Sequence, residues 1–216
     1  MRASVQCRVA VAGAELRVLV LTADAGGCVG VDLDSGAFVR ATYDGDPGPL
    51  APFDVVTGEL ARTADPPDAS RPEAVLLAGP PRRTGAMPAK RAERFLQPLQ
   101  HPRRRALLDV AGPAVPYWTL SGDRPSLTLV DVVAGLQVRP GAPGYVCRFG
   151  WQGARLHLPL ADRRLTTRLD EVGWPRYSGR DLQALLGHRV RHLLVVLSPP
   201  NRGYCYKVVA GLLPGA

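Results

Sequence analysis

The segment 192–213, HLLVVLSPPNRGYCYKVVAGLL, places the strongest constraint on the fold of this chain. It contains two apolar runs on either side of 198–203, a stretch with two prolines and a glycine. The first run is short and uniformly apolar, which is typical of a strand buried on both faces. Because proline cannot donate a backbone hydrogen bond, the two prolines end the strand, and Gly203 allows the chain to turn back. The segment therefore predicts a terminal β-hairpin.

The returning strand of this hairpin carries a pattern that indicates a ligand surface. Alternation places Tyr204 and Tyr206 on one face and Lys207 on the other, with Arg202 in the turn before them. Exposed aromatic rings with cations beside them are typical of proteins that bind single-stranded nucleic acid. The alternative is core packing with only the phenol edge at the surface. These residues alone do not decide between the two.

Composition favours a mostly β protein. The chain of 216 residues is 46% hydrophobic, and its apolar runs are short, rich in valine and interrupted by 23 Gly and 21 Pro, which favours short strands joined by turns. No run is long enough to span a membrane, and the first 18 residues lack the apolar segment of a secretory signal. We therefore expect a cytoplasmic protein that does not contact membranes.

Cysteine spacing gives no sign of a metal site. The four cysteines are far apart in the sequence and none forms a C-x-x-C pair: Cys7, Cys28, Cys147 and Cys205. This spacing predicts reduced, buried thiols rather than zinc ligands or disulfides. We expect no cofactor.

Positive charge is concentrated in the second half of the chain. Residues 1–100 contain eleven Lys/Arg and twelve Asp/Glu, a net of −1, whereas residues 101–216 contain sixteen and seven, a net of +9. A basic half of this kind suits a polyanionic partner. Only Lys90 and Lys207 are lysines, and the same arginine bias also arises from a GC-rich genome, so the charge alone is not specific.

The order of predicted elements indicates two small barrels. In the second half, strands at 145–151 and 154–160 flank a Gln152-Gly153 turn, a basic loop is expected at 162–177, and a short helix ends at Gly187. The resulting order is strand, strand, strand, helix, strand, strand, which is that of an OB-type five-stranded barrel. The first half offers five strands, with a hairpin around Asp34-Ser35-Gly36.

The predicted architecture is therefore two tandem OB-like five-stranded barrels with one or two short helices. The first barrel covers residues 1–80, a linker with a short helix covers 81–124, and the second barrel covers 125–216. The second and third strands of an OB fold bind oligonucleotides, which draws attention to Arg148, Trp151 and Arg155 near one tight turn. The alternative places Tyr145 and Phe149 in the core and leaves the two arginines as ordinary exterior charges.

Motifs of enzymes are missing from the sequence. It has no G-x-S-x-G, no glycine-rich phosphate loop ending in lysine and no H-E-x-x-H, and its four histidines are scattered. Asp32 and Asp34 could bind a metal, but such aspartates more often cap turns. No catalytic residue is predicted.

Several segments together resemble a prokaryotic family, the dual OB-containing domain. They are 28–32 (CVGVD) through Ser35-Gly36 to Val39-Arg40, 53–56 (FDVV), 71–73 (RPE), 126–130 (SLTLV), Arg148-Phe149 through Gly153 to Leu158-Pro159 and Asp162, and Leu197-Ser198 through Gly203 to 206–210 (YKVVA). The chain departs from the family where Ala41 follows Arg40 in place of proline, and where Ala74 follows the Pro-Glu pair in place of asparagine. The resemblance implies two OB folds and nucleic-acid binding or sensing, in stand-alone proteins and in bacterial defence systems, and it implies no catalysis.

The sequence thus leads to a main hypothesis and two alternatives. The main one is a non-catalytic module that binds single-stranded or structured nucleic acid, DNA or RNA. The residues predicted to bind it are Arg40, Arg148, Trp151, Arg155, Arg202, Tyr204, Tyr206 and Lys207. The first alternative is a protein-interaction or small-ligand-sensing module without nucleic-acid affinity. The second is a metal-dependent hydrolase that uses Asp32, Asp34 or Asp54.

Overall fold

A computed structural model describes residues 12–24, 26–61, 68–102, 105–122, 124–131 and 135–215. The N-terminal residues up to 11, including Cys7, lie outside the described residues. Strands account for 45% and helices for 18% of these described residues, which confirms the prediction of a mostly β protein. None of the helices formed by the described residues has the length and apolar character needed to cross a membrane.

The chain divides into two compact units, each with its own sheet. The first unit contains the described residues up to Leu99 together with Tyr117–Ser126, and the second contains Gln100–Pro116 and Leu127–Gly215. The division therefore differs from the predicted boundaries, because the chain enters the second unit, returns to the first and then enters the second again.

The first unit contains a six-stranded sheet and one α-helix. Its elements are β1 (Glu15–Asp24), β2 (Gly27–Asp32), β3 (Phe38–Thr42), β4 (Asp54–Glu59), β5 (Ala74–Leu76), β6 (Arg82–Ala86) and α1 (Ala89–Leu96). The strand order is β5-β3-β2-β1-β4-β6, and only β3 and β5 run parallel. An isolated antiparallel bridge joins Leu60, just after β4, to Leu77, just after β5.

The predicted first hairpin is confirmed. The Asp32 N–H donates to the Ala37 carbonyl at 2.9 Å and the Gly36 N–H donates to the Asp32 carbonyl at 2.8 Å. Gly36 has a φ of 70°, a conformation that glycine adopts without steric cost. Alternate residues of the hairpin, including Cys28, Val39 and Ala41, face the core of the unit.

The second unit contains an eight-stranded sheet and two α-helices. Its elements are β7 (Ala114–Pro116), β8 (Leu127–Asp131), β9 (Gln137–Pro140), β10 (Tyr145–Trp151), β11 (Ala154–Leu160), α2 (Arg163–Val172), β12 (Tyr177–Ser178), α3 (Gly179–Leu186), β13 (Val190–Leu197) and β14 (Tyr204–Pro214). The path is β12-β9-β10-β11-β14-β13-β8, and β7 pairs with β14. Among the strands that the described residues form here, β11 and β14 pair in parallel, at Leu160 and Val209.

Both hairpins predicted in this half are confirmed. β10 and β11 pair continuously from Tyr145 with Leu160 to Trp151 with Ala154, across a turn in which Gln152 and Gly153 have φ values of 52° and 75°. Positive φ at both turn residues is what a two-residue hairpin of this twist requires. β13 and β14 form the terminal hairpin.

A helix, α2, occupies Arg163–Val172 within the segment 162–177, where a loop was predicted. Asp162 caps α2 by accepting a hydrogen bond from the Leu165 N–H at 3.0 Å, and Gly173 ends the helix with a φ of 67°. The buried face of α2 consists of only Leu165 and Leu169, one turn apart, so the helix carries little apolar periodicity among its charges. The prediction for α3 is confirmed, because that helix ends at Leu186 before Gly187.

The predicted linker, 81–124, is divided between the two units. β6 pairs with β4 in the first unit, and β7 pairs with β14 in the second. Backbone N–H and C=O groups at the edge of a sheet need partners, and these short segments supply them. Within the described part of the chain neither sheet path closes on itself, so the structure establishes one sheet in each unit and not a closed barrel.

Candidate nucleic-acid interface

The strands β9, β10 and β11 present one apolar and one basic face. On β10, Tyr145, Cys147, Phe149 and Trp151 are buried, while Arg148 between them is half-buried. On β11 every outward position is exposed. Alternation along a strand sends successive side chains to opposite faces, which explains this division. We call the outward residues Arg139, Arg148, Arg155 and His157 the arginine face.

Strand register brings these four residues together. Arg148 pairs directly with His157 across β10 and β11, and Gly150 pairs with Arg155. On the other side, Val146 pairs with Arg139 of β9. Arg148 is thus opposite the histidine and diagonal to both of the other arginines, at spacings of roughly 5 to 8 Å between Cβ atoms. The side chains are close enough to contact one ligand.

The arginine face is strongly electropositive. Burial, followed by the charges of Arg155 and Arg139, lowers the pKa of Arg148, as expected for a guanidinium group with two other cations nearby. Among the described residues, no carboxylate forms an ion pair with any of the three. The outward positions of β9, β10 and β11 also lack Asp and Glu. This face therefore has positive charge without local compensation.

The structure brings only two of the predicted binding residues together on this face, Arg148 and Arg155. Trp151 is only 8% exposed, and its ring meets His101 edge to face with centroids 5.9 Å apart. It is therefore a core residue and not the stacking platform predicted, because it lies on the same side of β10 as Phe149. The alternative interpretation of this strand, with its aromatic rings in the core, matches the observed burial.

Lys207 is also not available as a surface cation. Its side chain is 5% exposed, and its Nζ donates a hydrogen bond to the Val110 carbonyl. Burial lowers the pKa of Lys207. The residue lies on the inward face of β14 with Cys205 and Val209, so packing required its ammonium group to find a backbone acceptor.

The predicted aromatic and turn residues lie on another part of the second unit. Tyr204 and Tyr206 are 40% and 38% exposed, and Arg202 is exposed in the turn before them. This end of β14 pairs with β7, whereas β14 meets β11 only at Leu160 and Val209. The tyrosines therefore lie on a part of β14 that pairs with β7 and not with β11. Arg40 belongs to the first unit.

Sequence reasoning missed Arg139 as a binding residue. Its outward position is decided by the pairing of β9 with β10, and Val146 is its partner in that register. The sequence signal was the alternation of Gln137, Val138 and Arg139 just before the hairpin. Alternation alone did not identify Arg139, because it specifies neither the partner of β9 nor which of its faces points outward.

The aspartates considered for a metal site have structural roles. Asp32 accepts hydrogen bonds from the Asp34 N–H at 3.2 Å and the Ser35 hydroxyl at 2.6 Å, so it caps the turn. Asp54 accepts from the Ala51 N–H at 2.9 Å and forms an ion pair with Arg83 at 2.8 Å. In the described ranges no group of three or more His, Cys, Asp or Glu side chains is arranged to hold a metal ion.

His101 is held in its neutral form beneath the arginine-bearing sheet. Its Nε2 accepts a hydrogen bond from the Leu108 N–H at 3.1 Å, and its Nδ1 lies 3.0 Å from the Pro102 carbonyl. Burial lowers the pKa of His101 below its ordinary value of 6.5. The hydrogen bond with Pro102 and the charge of Asp109 raise this pKa, whereas the charges of Lys207 and Arg105 lower it further. Protonation would therefore disrupt the contact with Leu108.

This arrangement predicts an acid-sensitive contribution to stability. Because the pKa is lower in the folded state, the unfolded chain binds more protons just below pH 6.5, and the free energy of unfolding falls as the pH drops through that range. The loss is at most about 1.4 kcal/mol per pH unit. Urea unfolding at pH 7.5 and 5.5 measures it. His101→Gln keeps an acceptor for Leu108 and should lessen the difference between the two pH values. An unchanged difference in His101→Gln would contradict the prediction.

Comparisons of this chain with protein-family models, with curated proteins and with solved structures found no match. The functional assignment therefore rests on the geometry of the molecule.

Proposed function

We propose that this protein is a non-catalytic binding module for single-stranded nucleic acid, DNA or RNA, which lies across the arginine face of the second unit. The observation that carries the proposal is the convergence of Arg139, Arg148 and Arg155 on one uncompensated sheet face. Guanidinium groups contact phosphate oxygens through two parallel hydrogen bonds and also stack on bases. A sheet face of this kind can follow a flexible strand without reading a particular sequence.

We further propose that each unit is an OB-like barrel. In the second unit, β8 pairs with β13, and β9 pairs with β10. We take β8 and β9 as the two halves of one bent first strand. Along the sheet from β9 to β8, the OB strand numbers are then 1 (β9), 2 (β10), 3 (β11), 5 (β14), 4 (β13) and 1 again (β8). OB strands 3 and 5 run parallel, and α2 and α3 lie between OB strands 3 and 4 in the chain. This agrees with the resemblance to the dual OB-containing domain.

Strand pairing in the first unit supports the same proposal. β1 pairs with β2 and with β4, and β3 runs parallel to β5. The bridge between Leu60 and Leu77 links the ends of β4 and β5, and the Ala61 N–H donates to the Leu76 carbonyl at 2.9 Å. These contacts would complete the ring of five strands.

Burial favours the second unit as the binding unit. In the first unit, Leu19, Val29 and Val31 lie on the face of the sheet opposite to the hydrophobic core of the unit. All three are nevertheless buried. The corresponding outward positions of β9, β10 and β11 are arginines, a histidine and a glycine that are exposed or half-buried. The second face thus offers several accessible charged groups to a long ligand, whereas on the first face Arg40, which pairs with Val29, has its Nε and Nη2 buried. OB-fold proteins bind oligonucleotides on this face of the sheet.

Titration of a labelled single strand of about 12 nucleotides, within the usual site size of an OB fold, tests the proposal. We expect micromolar or tighter binding at low salt. Three phosphate contacts to a single strand predict that a fourfold rise in salt weakens binding roughly 20-fold. A duplex of the same sequence should bind more weakly, since its bases cannot be reached by the arginines. No binding at low salt would reject the proposal, and recovery of a protein partner after nuclease treatment would then favour the protein-interaction alternative.

A further inference from the structure

Two arginines of the first unit have buried donors that lack acceptors. Arg40 projects from β3, and Arg71 lies in the turn before β5. The Nε and Nη2 of Arg40 and the Nε of Arg71 are shielded from solvent and have no hydrogen-bond partner in the described part of the chain. More than nine in ten buried polar groups are partnered, and leaving one unpartnered costs about 1–3 kcal/mol. Three such atoms on two neighbouring cations indicate that an acceptor belongs there.

The backbone holds the two guanidinium groups near each other. The Arg40 N–H donates to the Glu73 carbonyl at 2.9 Å, and Arg40 pairs with Ala74 in the parallel ladder. The Arg71 carbonyl accepts from the Ala74 N–H at 3.0 Å, which closes the turn beside this pair. After burial, the charge of Arg71 is the largest influence that lowers the pKa of Arg40, as expected for adjacent cations.

The nearby carboxylates are engaged by other donors. Asp68 Oδ1 accepts from the Ser70 N–H and hydroxyl, both at 2.8 Å, and from the Tyr117 hydroxyl at 3.4 Å. The two oxygens of Glu73 accept from the Ser126 N–H at 2.6 Å and hydroxyl at 2.7 Å. Together with Asp24, these charges favour the cationic form of Arg40, but none of the three residues accepts a hydrogen bond from the unpartnered nitrogens.

We propose that Arg40 and Arg71 form a binding site for a phosphoryl group in the first unit. A carboxylate has two coplanar oxygens, which one guanidinium group satisfies, whereas the tetrahedral oxygens of a phosphoryl group accept from two guanidinium planes at once. The site belongs to the first unit, whereas the arginine face belongs to the second, and it goes beyond the function proposed above. The carboxylates beside it reduce its net charge, so we expect inorganic phosphate to bind weakly, with a dissociation constant on the order of millimolar.

The experiment uses the full chain and three probes: inorganic phosphate, a nucleoside 5′-monophosphate, and an oligonucleotide with or without a 5′-phosphate. Binding is followed by calorimetry and by the shift in thermal unfolding at constant ionic strength. Arg40→Gln and Arg71→Gln should each lower the affinity for the bound probe at least tenfold. The matched control is Arg82→Gln, which removes an exposed arginine of the same unit.

The probes identify the source of the phosphoryl group. Tighter binding of the monophosphate than of phosphate supports a nucleotide, a preference for the 5′-phosphorylated strand supports a strand end, and binding of phosphate alone supports the free ion. Arg71 is half-buried in a turn, so its variant keeps the test decisive if Arg40→Gln does not fold. No saturable binding of any of the three phosphoryl groups, or wild-type affinity in Arg71→Gln, would overturn the proposal. Neither result would alter binding of the unphosphorylated strand at the arginine face, so the two proposals fail separately.

Discussion

Replacing Arg139, Arg148 and Arg155 together by glutamine is expected to weaken binding of a single-stranded oligonucleotide at least 100-fold, which is about 2.7 kcal/mol. The three guanidinium groups lie on adjacent strands of one sheet face and have no carboxylate partner among the described residues, so their charge is available to phosphate. Glutamine keeps a polar side chain, although a shorter one than that of arginine, and removes the positive charge. Since these positions point away from the core, the fold should be preserved.

The salt dependence separates loss of phosphate contacts from other effects. Removing three contacts should reduce the slope of the logarithm of affinity against the logarithm of salt by about 2. Anisotropy titrations of wild type and variant at several salt concentrations measure both quantities. The matched control replaces Arg163, Arg180 and Arg189, three exposed arginines of the same unit, and so changes the net charge equally. If the control loses as much affinity as the first variant, the arginine face is not the binding site.

Glu73→Ala is expected to lower the free energy of unfolding by about 3 kcal/mol. Glu73 is 6% exposed, and its two oxygens accept from the N–H and the hydroxyl of Ser126, 53 residues further along the chain. The substitution leaves both buried donors of Ser126 without an acceptor. It also removes one of the negative charges that favour the cationic form of Arg40.

Urea unfolding of the wild type and three variants checks this prediction. Glu59→Ala is the control, since Glu59 is exposed in the same unit and its loss should cost less than about 0.5 kcal/mol. The loss of unfolding free energy in Glu73→Gln should lie between those of Glu73→Ala and Glu59→Ala, because an amide oxygen can still accept one of the two hydrogen bonds. A loss below about 1 kcal/mol in Glu73→Ala would show that the contact with Ser126 contributes little.

The faces of the predicted hairpins could be assigned from the sequence, but not their exposure. Alternation correctly placed Phe149 and Trp151 opposite Arg148, and Cys205 and Lys207 opposite the tyrosines. It did not show that the Trp151 side of β10 faces the core. The prediction of Lys207 as a surface cation is wrong for the same reason, since its acceptor, the Val110 carbonyl, lies 97 residues away in the chain.

The sequence by itself determined the mostly β class, the three hairpins, α1 and α3, because turn residues, caps and side-chain alternation act between residues close in the chain. Tertiary structure decided which strand lies beside which, which face of each sheet is covered, and that Arg139 joins Arg148 and Arg155. It also decided that Glu73 and Ser126 meet and that parts of the supposed linker become strands. These outcomes depend on pairing between segments that are distant in the chain. Every residue except proline offers the same backbone donor and acceptor, so the local sequence pattern does not specify which segment a strand pairs with.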